Sequence, residues 1–178
     1  VLALPEDMLT DMVEGAAPGP RVEPAEAGPT PRQITAFREM LEGAERPLMV
    51  LGGSRWSPDS VAAIQAFAEA WDLPTGVSFR RQNLFDATHA AYAGDVGLGI
   101  NPALKERLQA ADLLILLGAR FSENPSQDFS ILGMPDPGKR LVHVHPGPEE
   151  LGRIYAPELS VAASPQSFVE AIAGLRPD

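Results

Sequence analysis

AADLLILLGARF, residues 110–121, is the stretch whose reading decides the fold. Leu113 to Leu117 form an unbroken aliphatic run, too short for a helix and too continuous for a strand with one wet face. Asp112 and Gly118 bound it, so it reads as a short strand buried on both faces. Runs of the same kind recur at Leu48 to Leu51, Thr75 to Phe79, Leu141 to Val144 and Leu159 to Ala162, bounded by Gly, Pro or Asp.

Helices are announced between these runs by one recurring device. Thr30-Pro31, Ser57-Pro58, Asn101-Pro102 and Ser164-Pro165 each place a capping side chain before a proline at the first helical position. Gln33 completes a capping box with Thr30, and Ile34, Phe37 and Leu41 follow at helical spacing up to Gly43. Val61, Ile64, Ala68 and Trp71 repeat the pattern after Ser57. Buried strands alternating with helices predict an α/β domain, a doubly wound and mainly parallel sheet with helices on both faces, Rossmann-like in the broad sense.

Composition bounds the function. The 178 residues carry a net charge of -10 with only 14 Lys and Arg, so a duplex phosphate backbone would be repelled and no nucleic-acid partner is expected. Arg80-Arg81 is the one basic pair that stands out. The chain has no cysteine, which excludes disulfides, thiolate catalysis and cysteine-bound metals. Its longest apolar run, Leu113 to Leu117, is far short of the ~20 residues that span a bilayer, so a soluble, cytoplasmic protein without a membrane partner is expected.

The two ends of the sequence differ in kind. Val1 to Leu4, closed by Pro5, reads as a strand whose partners lie outside this chain, which makes residues 1–14 a remnant of a preceding domain. Residues 15–31, GAAPGPRVEPAEAGPTP, hold five prolines and little to bury, and read as a linker. Residues 32–178 are then the α/β domain.

Ligands of such sheets sit outside the carboxyl ends of the strands, where strand order reverses. Candidate cofactor-binding residues are therefore Gly52, Gly53 and Ser54 after one strand, Gly118, Ala119, Arg120 and Phe121 after another, and His145 at a third. Gly52-Gly53 lets backbone approach a ligand or simply makes a tight turn; neither G-x-G-x-x-G nor the Walker spacing is present. Arg120 suits a phosphate or carboxylate, or an ion pair with a neighbour. His143 and His145 are expected on opposite faces of their strand, unable to share a metal, and no acid follows before Glu149. GDVGLGIN, residues 94–101, reads as a flexible entry loop to a helix, and Gly94-Asp95 with Asn124 is only a chance likeness to a diphosphate–magnesium loop. No catalytic or metal-ligating residue is assigned.

RPLMVLGG, AADLLILLGARF and LVHVHPGPEELG together resemble successive strand ends of the central domain of thiamine-diphosphate-dependent enzymes of the acetolactate synthase type, a Rossmann-like domain of the DHS-like NAD/FAD-binding kind. VLALPEDM is similar to the last strand of that family's pyrimidine-binding domain, and the Pro-rich stretch to its linker. The resemblance implies a parent enzyme acting on 2-oxo acids, by carbon–carbon bond formation or decarboxylation. Thiamine diphosphate and magnesium would be held by N- and C-terminal domains absent from this chain, in a dimer or tetramer. In some members the central domain also takes FAD or an adenine nucleotide such as ADP. Gly52, Gly53, Gly118 and Arg120 match positions of that kind, while His145 stands where those relatives carry an acid, and GDVGLGIN replaces their Gly-Met-His-Gly segment. Both departures weigh against a flavin. Two other readings stay open: a self-contained FAD- or NAD-binding module, and a scaffold domain with an apolar patch around Leu2, Leu4, Met8 and Leu9.

Overall fold

The computed structural model describes residues 3–177. Six strands form one parallel sheet: β1 (Pro47–Leu51), β2 (Thr75–Ser78), β3 (Tyr92–Val96), β4 (Leu113–Leu117), β5 (Arg140–His145) and β6 (Leu159–Ala162), in the order β3-β2-β1-β4-β5-β6. Four α-helices accompany them: α1 (Pro31–Glu42), α2 (Pro58–Ala70), α3 (Pro102–Ala110) and α4 (Pro165–Ile172). This is the doubly wound α/β fold expected from the alternating pattern.

Helix starts follow the cap chemistry. The Thr30, Ser57, Asn101 and Ser164 side chains each accept a backbone N–H of the first turn, and each is followed by proline at the first helical position. At α1 the box is reciprocal, with Gln33 N–H donating to Thr30 Oγ1 at 3.3 Å and Thr30 N–H to Gln33 Oε1 at 2.9 Å.

All five β4 residues are buried because the strand lies in register between β1 and β5, with opposite faces covered by different layers. Met49, Leu51, Leu113, Ile115, Leu117, Val142 and Val144 pack on one side with Phe37 of α1, Ile64 and Phe67 of α2, and Phe168 and Ile172 of α4. Leu48, Val50, Leu114, Leu116 and Leu141 pack on the other with Leu104 and Leu108 of α3. The irregular β4–β5 connection completes that second layer through Phe121, Ile131 and Leu132.

Two boundaries differ from expectation. Gly94-Asp95-Val96, read as part of an entry loop, belongs to β3. This edge strand pairs with β2 alone, carries a register irregularity between Thr75 and Gly76, and is half-buried along Tyr92 to Asp95, so it has no apolar run to betray it. β2 stops at Ser78, not Phe79, because the chain turns there: Arg80 has φ 61° and Arg81 N–H donates to Ser78 O at 2.9 Å. Of the expected Val1–Leu4 strand, Val1 and Leu2 lie outside the described residues, and Ala3 and Leu4 are exposed and in no strand. Residues 16–30 hold no helix or strand and touch the domain through Glu26, ion-paired with Arg55 at 2.9 Å, and through Ala27, whose carbonyl accepts from Ser167 Oγ at 2.8 Å.

Phe37 is 0% exposed, edge-on to Phe168 at 5.2 Å and tilted against Phe67 at 6.2 Å, so it joins α1 to α4 and α2. Phe37→Ala should cost about 3–5 kcal/mol in urea unfolding, while Arg32→Ala, on the exposed side of α1, should stay within about 0.5 kcal/mol.

Candidate functional site

Strand order reverses between β1 and β4, since the chain leaves β1 toward β2 and leaves β4 toward β5 on the opposite side. A cleft of about 600 Å³ opens beyond the carboxyl ends there, lined by the segments following β1, β2, β4 and β5. The cleft lies at the position such folds use for ligands, and its walls hold more arginine than the chain as a whole would suggest.

Its floor is backbone. Gly52 N–H donates to Leu117 O at 2.9 Å, Gly118 N–H donates to Val144 O at 2.8 Å, and Leu51 bridges Gly118. A Cβ on Gly52 would stand 2.8 Å from Ala119 Cβ, one on Gly53 2.3 Å from Gly118 O, and one on Gly118 2.5 Å from Gly52 O. Gly53 and Gly118 also have φ of 69° and 73°. The missing side chains of these three glycines therefore face each other rather than the cleft. Of the two readings of Gly52-Gly53, the tight turn accounts for both residues.

The walls are side chains. Ser54 and Arg120 are exposed at the cleft, and Ala119 and Phe121 are buried beside it. Phe121, with φ 48°, is 1% exposed and packs toward Tyr155, ring centroids 6.1 Å apart, so most of its ring belongs to the second core. Arg120 Nε lies 3.7 Å from Glu150 Oε1, an oxygen that also accepts from Arg153 Nη1 at 3.0 Å. The Glu150 side chain is only 10% exposed while that of Arg120 is 59% exposed, so Arg120 is tethered at its base and open at its rim.

The histidines require a correction. Residues two apart on a strand share a face, and the His143 and His145 rings lie together with centroids 6.1 Å apart, not on opposite faces. His143 Nε2 is 3.0 Å from Ala119 O, which ties β5 to the turn after β4. His145 Nδ1 accepts the Gly147 N–H at 3.0 Å, so that nitrogen is turned into the strand-end turn. Burial above all, with neighbouring His145 adding to it and the Ala119 carbonyl opposing it, pushes His143 down to about 4.

Sequence reading missed Arg55, Ser78, Arg81, Asn124 and Glu149 as cleft residues. Arg80-Arg81 was visible as a basic pair; only the strand order shows that Arg81 reaches this cleft. Glu149 folds back over Gly147, where a Cβ would stand 2.4 Å from its Oε1. A carboxylate thus lines the β5 end of the cleft after all, four positions beyond His145.

The family model described as "Thiamine pyrophosphate enzyme, central domain" matches residues 34–172. The chain belongs to this family. Among its relatives, the acetolactate synthase large subunit of Corynebacterium glutamicum is 26% identical over 133 residues, covering 75% of this chain and 21% of the relative. Glyoxylate carboligase of Escherichia coli O157:H7 is 30% identical over 132 residues, covering 74% and 22%. Acetolactate synthase isozyme 1 large subunit of Escherichia coli K12 is 28% identical over 164 residues, covering 90% and 28%. The central domain thus spans about a quarter of the length of the relatives it matches. Thiamine diphosphate belongs to full-length members of the family. Among the described residues, no group of three or more His, Asp or Glu is placed to hold a metal ion. No helix among the described residues is long and apolar enough to cross a membrane.

Two expectations test this geometry. Gly53→Ala should lower stability by at least about 1–2 kcal/mol in thermal unfolding, through left-handed backbone alone, with Ser54→Ala near neutral. His143 is neutral when folded and takes up a proton far more readily when unfolded. Its contribution is therefore complete above the ordinary pKa of 6.5 and is lost as pH falls toward about 4. Wild-type stability should drop across that window by at most about 3 kcal/mol, and His143→Gln should flatten the drop in pH-dependent urea unfolding.

Proposed function

We propose that this chain is the central domain of an acetolactate synthase-like thiamine diphosphate enzyme acting on 2-oxo acids, by carbon–carbon bond formation or decarboxylation, and that the chain itself is not catalytic. In this reading residues 1–14 belong to a preceding pyrimidine-binding domain, residues 15–31 are the linker, and a C-terminal domain follows. The intact protein is a cytoplasmic homo-oligomer, a dimer or tetramer, with thiamine diphosphate and magnesium held outside this domain. Relatives more than three times as long, with "acetolactate synthase" and "glyoxylate carboligase" as their names, support it.

Within that architecture the central domain offers structure and a nucleotide cleft. The single observation that carries this is the opening at the strand-order reversal, with Arg55, Arg81 and Arg120 in its walls. Guanidinium groups bind phosphate oxygens bidentately, and the cleft is large enough for a nucleotide. Gly53, Ser54 and Arg55 follow β1, the position from which such folds hold a diphosphate. Arg120 reaches in from β4, and Glu149 can accept from a ribose hydroxyl. FAD and ADP are both candidates, and a self-contained FAD or NAD module draws on the same cleft.

Calorimetric titration with FAD, ADP and NAD, and with thiamine diphosphate as control, tests the reading. Saturable binding of ADP or FAD is expected, weakened roughly tenfold in Arg120→Ala by loss of a charge-assisted hydrogen bond. Thiamine diphosphate is expected to give no heat. Silence with every nucleotide from a folded sample would leave the scaffold role alone, and tight thiamine diphosphate binding would overturn the division of labour.

A further inference from the structure

The end of β2 is where a doubly wound nucleotide site reads the ribose. An acidic residue there accepts from the ribose hydroxyls, whereas an arginine accommodates a phosphate esterified to the ribose. This chain runs Thr75 to Leu84 as TGVSFRRQNL, with no acid at all. Ser78 and Arg81 both line the cleft.

The local backbone fixes them there. Arg81 N–H donates to Ser78 O at 2.9 Å, closing a turn in which Arg80 has φ 61°. Arg80 is spent elsewhere, its guanidinium 5.0 Å from the centroid of the Phe79 ring. Arg81 has no ion pair among the described residues, unlike Arg55, which holds Glu26 at 2.9 Å, and Arg120, which is tethered to Glu150. Asp95 of the neighbouring strand β3 does not line the cleft and accepts a hydrogen bond from the Gln82 side chain. The β2 end therefore presents a free cation and a hydroxyl group to the cleft, while the Asp95 carboxylate beside it is engaged by Gln82 and lies outside the cleft lining.

We propose that the cleft is built for an adenine nucleotide carrying a phosphomonoester on its ribose, with Arg81 and Ser78 holding that phosphate and the β1 turn holding the diphosphate. This rests on the nucleotide reading of the cleft and narrows it. The ligand class is the adenosine bisphosphate unit shared by NADP, with its 2′-phosphate, and coenzyme A, with its 3′-phosphate. Plain ADP, NAD and FAD lack the group that Arg81 would hold.

Competitive titration of the 178-residue chain with adenosine 2′,5′-bisphosphate, adenosine 3′,5′-bisphosphate and ADP decides it. One bisphosphate should bind at least about tenfold more tightly than ADP, as one charge-assisted contact implies, and which one does so tells the 2′ from the 3′ source. Arg81→Ala should erase that preference by weakening the favoured bisphosphate about tenfold more than it weakens ADP, and Arg81→Lys should retain part of it. Arg81 is exposed on a turn, so circular dichroism should show both variants folded as the wild type. Equal affinity for ADP and both bisphosphates, or an Arg81→Ala loss that falls equally on all three, overturns this inference and leaves the nucleotide cleft standing. Failure of all three to bind overturns both.

Discussion

The close approach of two backbone segments, Gly52-Gly53 and Gly118, is the constraint from which the rest of the molecule follows. β1 and β4 pair in parallel over their whole length, their ends are held together by the Gly52–Leu117 hydrogen bond, and the Gly118–Val144 hydrogen bond ties the β4 end to β5. Any side chain at these positions would collide with the opposite backbone. Because the glycines let the strand ends close, the chain can depart in opposite directions from adjacent points, and the space between the departing segments is the cleft. The glycines make its floor; arginine, serine and glutamate in the departing segments make its walls. Chemistry at the site is thus set by residues that look unremarkable in sequence, placed by residues that look functional.

The layers on either side follow from the same central pair. β1 and β4 are buried on both faces, so each needs a cover, and the two covers are unlike. Three helices, α1, α2 and α4, meet through Phe37, Phe67 and Phe168 on one face. On the other, α3 shares the task with the irregular connection from Phe121 to Leu132. That connection also supplies Ser122 and Asn124 to the cleft, which couples packing of the second core to the shape of the site. His143 adds a tie from β5 to the turn after β4, and its burial disfavours the charged ring even though the Ala119 carbonyl would accept from either form.

What could be read from the sequence divides along physical lines. LLILL and the four Ser/Thr/Asn–Pro caps are local signals, complete within a few residues, and every one of them forms the element it announces. Tyr92 to Val96 is a strand only because β2 is there to pair with it; its glycine and aspartate carry no propensity for a strand, so nothing local could reveal it. The strand-end positions were legible as a group because alternation predicts a parallel sheet with all its carboxyl ends on one edge, but the roles within the group were not. Gly52 faces protein and Phe121 faces core, while Arg55, Arg81 and Glu149 reach the cleft through turns that no periodicity encodes. The histidine pair shows a different kind of failure, a misapplied period: residues two apart on a strand share a face whatever their identity.

Charge is distributed around the cleft in a way that composition conceals. A chain with net charge -10 repels anions at long range, yet the walls of this cleft gather three arginines against one lining carboxylate. Long-range repulsion is screened within about 8–10 Å at moderate salt, whereas contacts inside the cleft act over a few ångströms and are screened much less. An anion therefore gains little from steering and much from fit. Two of the three arginines are already partnered, Arg55 by Glu26 and Arg120 by Glu150, and a partnered guanidinium keeps its orientation while losing part of its pull on a ligand. The balance of attraction in the cleft then rests on the one arginine that has no partner among the described residues, and that arginine stands at the end of β2.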